Sequence, residues 1–157
     1  MKTNLVIVGK TDEKWLNEGI NLYLSRIRKY IPFSTILIND IKNRVNMPEL
    51  VIKNKEGELI LNKIAPNDML ILLDEKGKKL SSKEFAGFFQ KQMNLGVRYV
   101  YFVIGGAYGF SQEVYDRCNY KISLSPMTFS HQLARLFFAE QFYRALTIIN
   151  NEPYHND

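Results

Sequence analysis

The chain has 157 residues, of which 46% are hydrophobic, and its 21 basic and 16 acidic side chains leave a net charge of +5. Length and composition fit one globular domain over residues 1–157, and they exclude a disordered chain, a fibrous repeat and, with a single cysteine, a disulfide scaffold. The apolar runs fall far short of the roughly 18 residues of a membrane helix, and residues 1–10 lack a secretory pattern, so we expect a cytoplasmic protein without a membrane segment.

The first elements alternate between short apolar runs and helical spacing. Leu5–Val8 predicts a buried strand. Asp12–Tyr30 predicts a helix whose apolar residues, including Trp15, share one stripe. Thr35–Ile38 is β-branched and predicts a second strand.

The middle of the chain gives a weaker pattern followed by a clear strand. Within residues 43–64, Pro48 could open a helix, but Gly57 weakens that prediction. Met69–Leu73 is continuously apolar and predicts a strand, which we expect the charged turn Asp74–Gly77 to close.

The second half continues the alternation. Ser81–Leu95 predicts a helix capped by serine, and Tyr99–Ile104 predicts a strand. Ser111–Arg117 predicts a short helix, Lys121–Leu124 a last strand, and Thr128–Ile149 a long helix. Strands that are apolar throughout are usually covered on both faces, as in parallel sheets with crossover helices. The predicted fold is therefore α/β, with one layer of about five mostly parallel strands flanked by helices.

The last helix is unusual because apolar residues nearly encircle it. These residues are Leu133, Leu136, Phe137, Phe138, Phe142, Tyr143, Leu146 and Ile149. A helix that is apolar all round is either deeply buried or buried twice, against its own sheet and against a partner. Symmetric pairs are the commonest oligomers, so the pattern favours a homodimer interface over a monomer.

Three strand ends carry the candidate binding residues, since ligands of open α/β sheets bind beyond the carboxyl ends of the strands. They are the segments 72–77, 104–109 and 123–129. Backbone-lined, weakly charged loops of this kind suit an adenine-bearing cofactor better than a triphosphate. The glycine segment matches neither the dinucleotide fingerprint nor the Walker loop, and by itself such a motif is more often a tight turn than a binding loop.

Histidine and cysteine usage argues against metal chemistry. His131 and His155 are the two histidines, and no cluster of His, Cys and carboxylates has ligand spacing, so we expect no metal site. Arg135 shares a helical face with His131. Glu140 and Arg144, four residues apart on the same helix, are spaced for an ion pair, which at a surface is worth little.

Taken together, the ordered motifs resemble one family over the full chain. They are Val8-Gly9-Lys10, Ile104-Gly105-Gly106 through Gly109, Ser123-Leu124-Ser125, Met127-Thr128-Phe129, His131-Gln132, Glu140-Gln141, Tyr143-Arg144-Ala145 and Tyr154-His155. The sequence is similar to the ribosomal RNA large subunit methyltransferase H family of trefoil-knot (SPOUT) methyltransferases. It departs from the family where Ser130 replaces a frequent proline and where Asn156 replaces a frequent basic residue.

The resemblance implies a reaction, a cofactor and a partner. The reaction is methyl transfer from S-adenosylmethionine to N3 of a pseudouridine in the helix 69 loop of 23S rRNA, in the assembled ribosome. The fold would include a C-terminal trefoil knot around the cofactor, and the enzyme would be a homodimer whose second subunit helps to hold the RNA. Carried over by position, the cofactor contacts are Leu73, Gly105, Leu124, Ser125, Pro126, Met127, Thr128 and Phe129.

For catalysis we hypothesise that Arg135 and His155 flank the target base while Tyr154 stacks on it. Two other function classes remain open at this point: a nucleotide- or flavin-binding α/β protein without transferase activity, and a ribosome-associated binding module. Short basic groups in the first half of the chain, such as Lys76–Lys79, fit either a solvated surface or attraction to RNA.

Overall fold

The elements alternate along the chain in a computed structural model that describes residues 1–154. The strands are β1 (Lys2–Val8), β2 (Phe33–Ile38), β3 (Met69–Lys79), β4 (Tyr99–Ile104) and β5 (Tyr120–Ser123). The helices are α1 (Lys14–Ile27), α2 (Glu49–Leu61), α3 (Ser82–Asn94), α4 (Gln112–Arg117) and α5 (His131–Ile149), with a short 3-10 turn at Arg44–Asn46.

All five strands pair in parallel, in the order β2-β1-β4-β3-β5. This confirms the predicted α/β class. Because every strand is parallel, the carboxyl ends of β3, β4 and β5 meet at one edge of the sheet.

Helices cover the sheet on both faces. On one face α1, α3 and α5 pack on the strands around an aromatic cluster, in which the rings of Phe102 and Phe138 lie 4.8 Å apart and those of Phe89 and Phe142 also 4.8 Å. On the other face α2 and α4 enclose a smaller cluster that contains Val103 and Val114. The two layers of side chains bury every central strand on both faces, which explains their unbroken apolar sequences.

The structure corrects two local predictions, on β3 and on Trp15, and decides the open question of a helix through Gly57. β3 does not end at Leu73: after an irregularity between Leu73 and Lys78 it pairs again with β5. Trp15 does not join the buried stripe of α1 and is 59% exposed. Gly57 does not interrupt α2, because its missing side chain makes room for Ser111, whose Oγ would lie 2.2 Å from a Cβ at that position.

The apolar circumference of α5 is largely used within this chain. α5 packs against both α1 and α3 as well as the sheet, and Phe138 and Phe142 are fully buried. Phe137 remains 38% exposed on the outer side. One chain therefore accounts for most of the pattern that predicts a dimer, and the dimer stays a prediction.

Candidate active site

A cavity of about 700 Å³ lies at the carboxyl ends of β3, β4 and β5. Three segments form it: the β3 bulge (Asp74–Gly77), the glycine loop (Gly105–Gly109) and the serine loop (Leu124–Ser130). These are the three segments that the sequence pattern singled out, so the position of the cavity follows from parallel strand order.

Seven of the eight predicted cofactor contacts line the cavity, namely Leu73, Gly105, Leu124, Ser125, Met127, Thr128 and Phe129. Pro126 does not line it. The lining combines the backbone of two loops with both apolar and polar side chains, a mixture typical of pockets for small organic ligands.

Hydrogen bonds between residues two or three positions apart hold the glycine loop and the serine loop in place. The Gly109 N–H donates to the Gly106 carbonyl (3.1 Å), which closes the glycine loop. In the serine loop, the Ser123 hydroxyl donates to the carbonyl of Ser125 (2.8 Å), and the Ser125 hydroxyl accepts from the N–H of Met127 (2.9 Å). Loops held by their own backbone present a preformed wall to a ligand.

The β3 bulge contributes an acidic rim to the cavity, in a segment that the sequence pattern singled out without assigning a role to its carboxylates. The Tyr115 hydroxyl donates to Asp74, and the Thr128 hydroxyl donates to Glu75 (2.9 Å). Burial and the hydrogen bond to Asp74 raise the pKa of Tyr115, so this phenol stays protonated. The two adjacent carboxylates, Asp74 and Glu75, directly after an apolar strand were the available signal for this rim.

Two further lining residues come from α2, which the resemblance does not assign to the site. Glu49 and Lys53, one turn apart on that helix, both border the cavity. Their charges have opposite sign, so α2 adds little net charge to the cavity.

His131 borders the cavity at the first residue of α5. Burial and the neighbouring Arg135 lower the pKa of this imidazole, against the opposite effect of Asp40 and Asp12. His131 is therefore neutral near pH 7 and offers one hydrogen-bond donor and one acceptor.

Arg135 lies one turn further along α5, but its guanidinium faces away from the cavity lining and is fully buried. Its Nη2 donates to the Val8 carbonyl (2.5 Å) and its Nη1 to the Thr11 hydroxyl (2.8 Å). Gln132 accepts from the backbone N–H of Asp12 at 2.9 Å. These bonds attach the start of α5 to the loop between β1 and α1.

Tyr154 packs against residues 140–144 of α5, more than two turns after His131, and does not line the cavity of its own chain. Its ring packs edge-on against Tyr143 (4.7 Å between centroids) and under the guanidinium of Arg144 at 4.8 Å. Its hydroxyl donates to Glu140 (3.3 Å), which also forms an ion pair of 2.6 Å with Arg144. His155 lies outside the described residues.

Among residues 1–154, no group of three His, Cys, Asp or Glu side chains could hold a metal ion. No helix in the described part of the chain is long and apolar enough to cross a membrane.

The structure is that of an α/β protein whose cavity lies at the carboxyl edge of a parallel sheet, where ligands of this fold class bind. The family model described as "Predicted SPOUT methyltransferase" matches residues 1–155. Two curated relatives bear the name "Ribosomal RNA large subunit methyltransferase H". The one from Parabacteroides distasonis is 52% identical over 100% of both chains, and the one from Flavobacterium psychrophilum is 55% identical over 99% of both.

A solved structure described as a probable methyltransferase from Bordetella pertussis Tohama I shares the fold, with a TM-score of 0.55 and 14% identity over 92% of this chain and 96% of that one. The chain belongs to the ribosomal RNA large subunit methyltransferase H family of SPOUT methyltransferases.

Proposed function

We propose that the protein transfers a methyl group from S-adenosylmethionine to N3 of a pseudouridine in the helix 69 loop of 23S rRNA, as a cytoplasmic homodimer. One observation supports this most strongly: a single cavity collects seven of the eight residues that the family resemblance assigns to the cofactor. On this proposal the segments around the cavity form the trefoil knot of the family.

The residues of the cavity fit that cofactor. Leu73, Leu124 and Phe129 provide apolar contacts for an adenine, and the loop backbones provide hydrogen-bonding groups. When bound, S-adenosylmethionine supplies an electrophilic methyl group on a positively charged sulfur. The rigid loops would orient that methyl group toward the target base, and such alignment lowers the barrier by several kcal/mol.

The target base also needs contacts that the described cavity lacks. Tyr143, which holds Tyr154, lies 12 residues along α5 from His131, or about 18 Å at the helical rise. His155 directly follows Tyr154 in the sequence. We therefore place Tyr154 and His155 at the active site of the partner subunit, where Tyr154 stacks on the base and His155 assists removal of the N3 proton.

In this proposal Arg135 is a positioning residue. Its guanidinium is committed to Val8 and Thr11, so it acts by fixing the first turn of α5, which carries His131 into the cavity wall. The exposed Phe137 and Trp15 offer apolar surface for the second subunit.

A deletion strain tests the function itself. Mass spectrometry of 23S rRNA from that strain is expected to show the helix 69 pseudouridine without its N3-methyl group, and expression of this chain is expected to restore the methyl group. Persistence of the methylated nucleoside in the deletion strain would refute the proposal.

Substrate preference follows from the size of the protein. One 157-residue chain with a net charge of +5 has little basic surface for RNA, so recognition must rely on the shape of the assembled particle. We expect methylation of assembled ribosomes to be about 100-fold faster than that of protein-free 23S rRNA, measured as kcat/KM with a labelled methyl donor. Equal rates on both substrates would contradict this expectation.

A further inference from the structure

Glu56 is a buried carboxyl group outside the predicted site. It lies on the inner side of α2, its exposure is 2%, and its Oε2 has no hydrogen-bond partner among residues 1–154. Burial of an unpaired carboxyl group lowers stability. Such a group is typical of a position that serves function.

The carboxyl group of Glu56 points at the glycine loop. A Cβ at Gly106 would lie 2.6 Å from Oε2 and 3.1 Å from Oε1 of Glu56, so this carboxyl group occupies the space that a side chain would take. Gly106 lines the cavity, whereas Glu56 does not. The glycine backbone is thus the layer between the carboxyl group and the cavity.

The surroundings of Glu56 leave its charge poorly compensated. Burial raises the pKa of Glu56, and Asp40 raises it further, while Arg44 lowers it. The Nη1 of Arg44 lies 3.7 Å from Oδ1 of Asp40, and the Arg44 side chain is about half exposed. Asp40 and solvent therefore weaken the attraction between Arg44 and Glu56. The negative charge of Glu56 therefore has no strong positively charged partner in the protein, and it would attract a cation in the cavity.

We propose that Glu56 makes the cavity selective for the sulfonium of S-adenosylmethionine over the neutral thioether of S-adenosylhomocysteine. The inference rests on the function proposed above. Attraction between unlike charges is stronger where a charged group is shielded from water, as the buried Glu56 is, and it acts across one backbone layer. It needs no direct contact, which is why Glu56 can sit behind Gly106.

The selectivity has a direct consequence for turnover. In the proposed transfer, the electron pair of the bond between the methyl carbon and sulfur would stay on sulfur as the bond to N3 forms, and the N3 proton would pass to the His155 imidazole that the proposed function assigns to its removal. The sulfur then carries no charge, so the attraction of Glu56 is lost at the moment of product formation. Glu56 thereby favours binding of the donor and release of the product.

The variant Glu56→Gln tests this by calorimetric titration with S-adenosylmethionine and with S-adenosylhomocysteine. The substitution keeps the shape of the side chain and removes its charge. We expect the ratio of the two affinities to fall by about tenfold, the effect of one pKa unit of coupling, with S-adenosylhomocysteine affinity unchanged. Glu58→Gln, on the exposed side of the same helix, is the matched control and should keep the wild-type ratio.

The outcomes separate three cases. Equal weakening of both ligands would mean that Glu56 only supports the glycine loop, and an unchanged ratio would mean that its charge is irrelevant; either result overturns the inference but not the proposed function. A wild-type protein that binds neither ligand overturns both.

Proton release gives a readout in the unaltered protein. A neighbouring sulfonium favours the charged carboxylate and lowers the pKa of Glu56, so donor binding releases a proton at weakly acidic pH, above the ordinary value of 4.5. Titrations in two buffers of different ionisation enthalpy should detect this for S-adenosylmethionine and not for S-adenosylhomocysteine. Identical proton release with both ligands would contradict the inference.

Stability provides a third readout with a defined sign. A carboxyl group whose pKa is raised in the folded state stabilises the fold below its unfolded pKa, and that contribution is lost as pH rises through the folded value. Glu56→Gln should therefore raise the melting temperature at pH 7 by about 3 °C. A lower melting temperature would instead identify Glu56 as a structural group.

Discussion

Replacement of Arg135 by lysine or methionine is expected to reduce kcat/KM for methylation by about 100-fold, the loss that follows a displacement of about 1 Å in an active site. The Arg135 guanidinium holds Val8 and Thr11 with two hydrogen bonds at separate nitrogens. A lysine ammonium keeps the positive charge but lacks the planar fork that reaches both acceptors. If Arg135 instead acted as a cation at the target base, lysine would preserve much of the activity and methionine would not.

The same variants should lose about 2–4 kcal/mol of unfolding free energy, because hydrogen bonds to charged groups are among the stronger ones and Val8 would lose a buried donor. Urea denaturation measures this loss of stability. Single-turnover methylation without urea, at a temperature where both variants are folded, separates the loss of stability from the effect on the reaction. Retention of full single-turnover rates in both variants would show that the first turn of α5 needs no such support.

Arg117 offers a matched control. Its Nη2 donates to the carbonyl oxygens of Ala65, Pro66 and Asp68 at 2.8–2.9 Å, ahead of β3 and at the opposite edge of the sheet from the cavity. Arg117→Met should also lower stability by removing hydrogen bonds from a guanidinium. Since these bonds hold no cavity residue, its kcat/KM for methylation should remain near that of the wild type.

Local sequence patterns predicted the sheet and the place of the cavity, because both depend on apolar runs and on where they end. The run from Tyr99 to Ile104 became β4 with the predicted bounds, and the glycine loop after it became a cavity wall. The continuation of β3 beyond Asp74 could not be predicted in this way. It depends on pairing with β5, whose residues lie more than 40 positions later in the chain.

The roles of individual charged residues needed the three-dimensional structure. Arg135 and Val8 are 127 positions apart, so no spacing rule connects them, and our hypothesis from the sequence placed Arg135 beside the target base. Glu56 carries no motif of its own within α2. Its closeness to Gly106 arises from the packing of α2 beneath the glycine loop, which periodicity does not encode.

A heterodimer with one intact composite site is expected to recover about half of the wild-type activity from two chains that are each inactive as homodimers. The first chain carries Gly105→Arg, which places a long cationic side chain in the cavity, and it keeps Tyr154 and His155. The second carries Tyr154→Ala and His155→Ala and keeps its cavity. We expect each homodimer to retain less than about 1% of wild-type methylation, since each lacks either the cofactor or the contacts to the base.

The heterodimer separates the two possible arrangements because the substitutions lie on different chains. Tyr154 is held by Tyr143 and Glu140, which lie about 18 Å and about 14 Å along α5 from His131 at the cavity, so Tyr154 and His155 should serve the cavity of the partner. Tyr154 and His155 of the first chain then form one complete active site with the cavity of the second chain. If Tyr154 and His155 instead served the cavity of their own chain, the heterodimer would contain no complete site and would be as inactive as either homodimer. Purification through two different affinity tags, followed by methylation of assembled ribosomes, distinguishes recovery of half the activity from none.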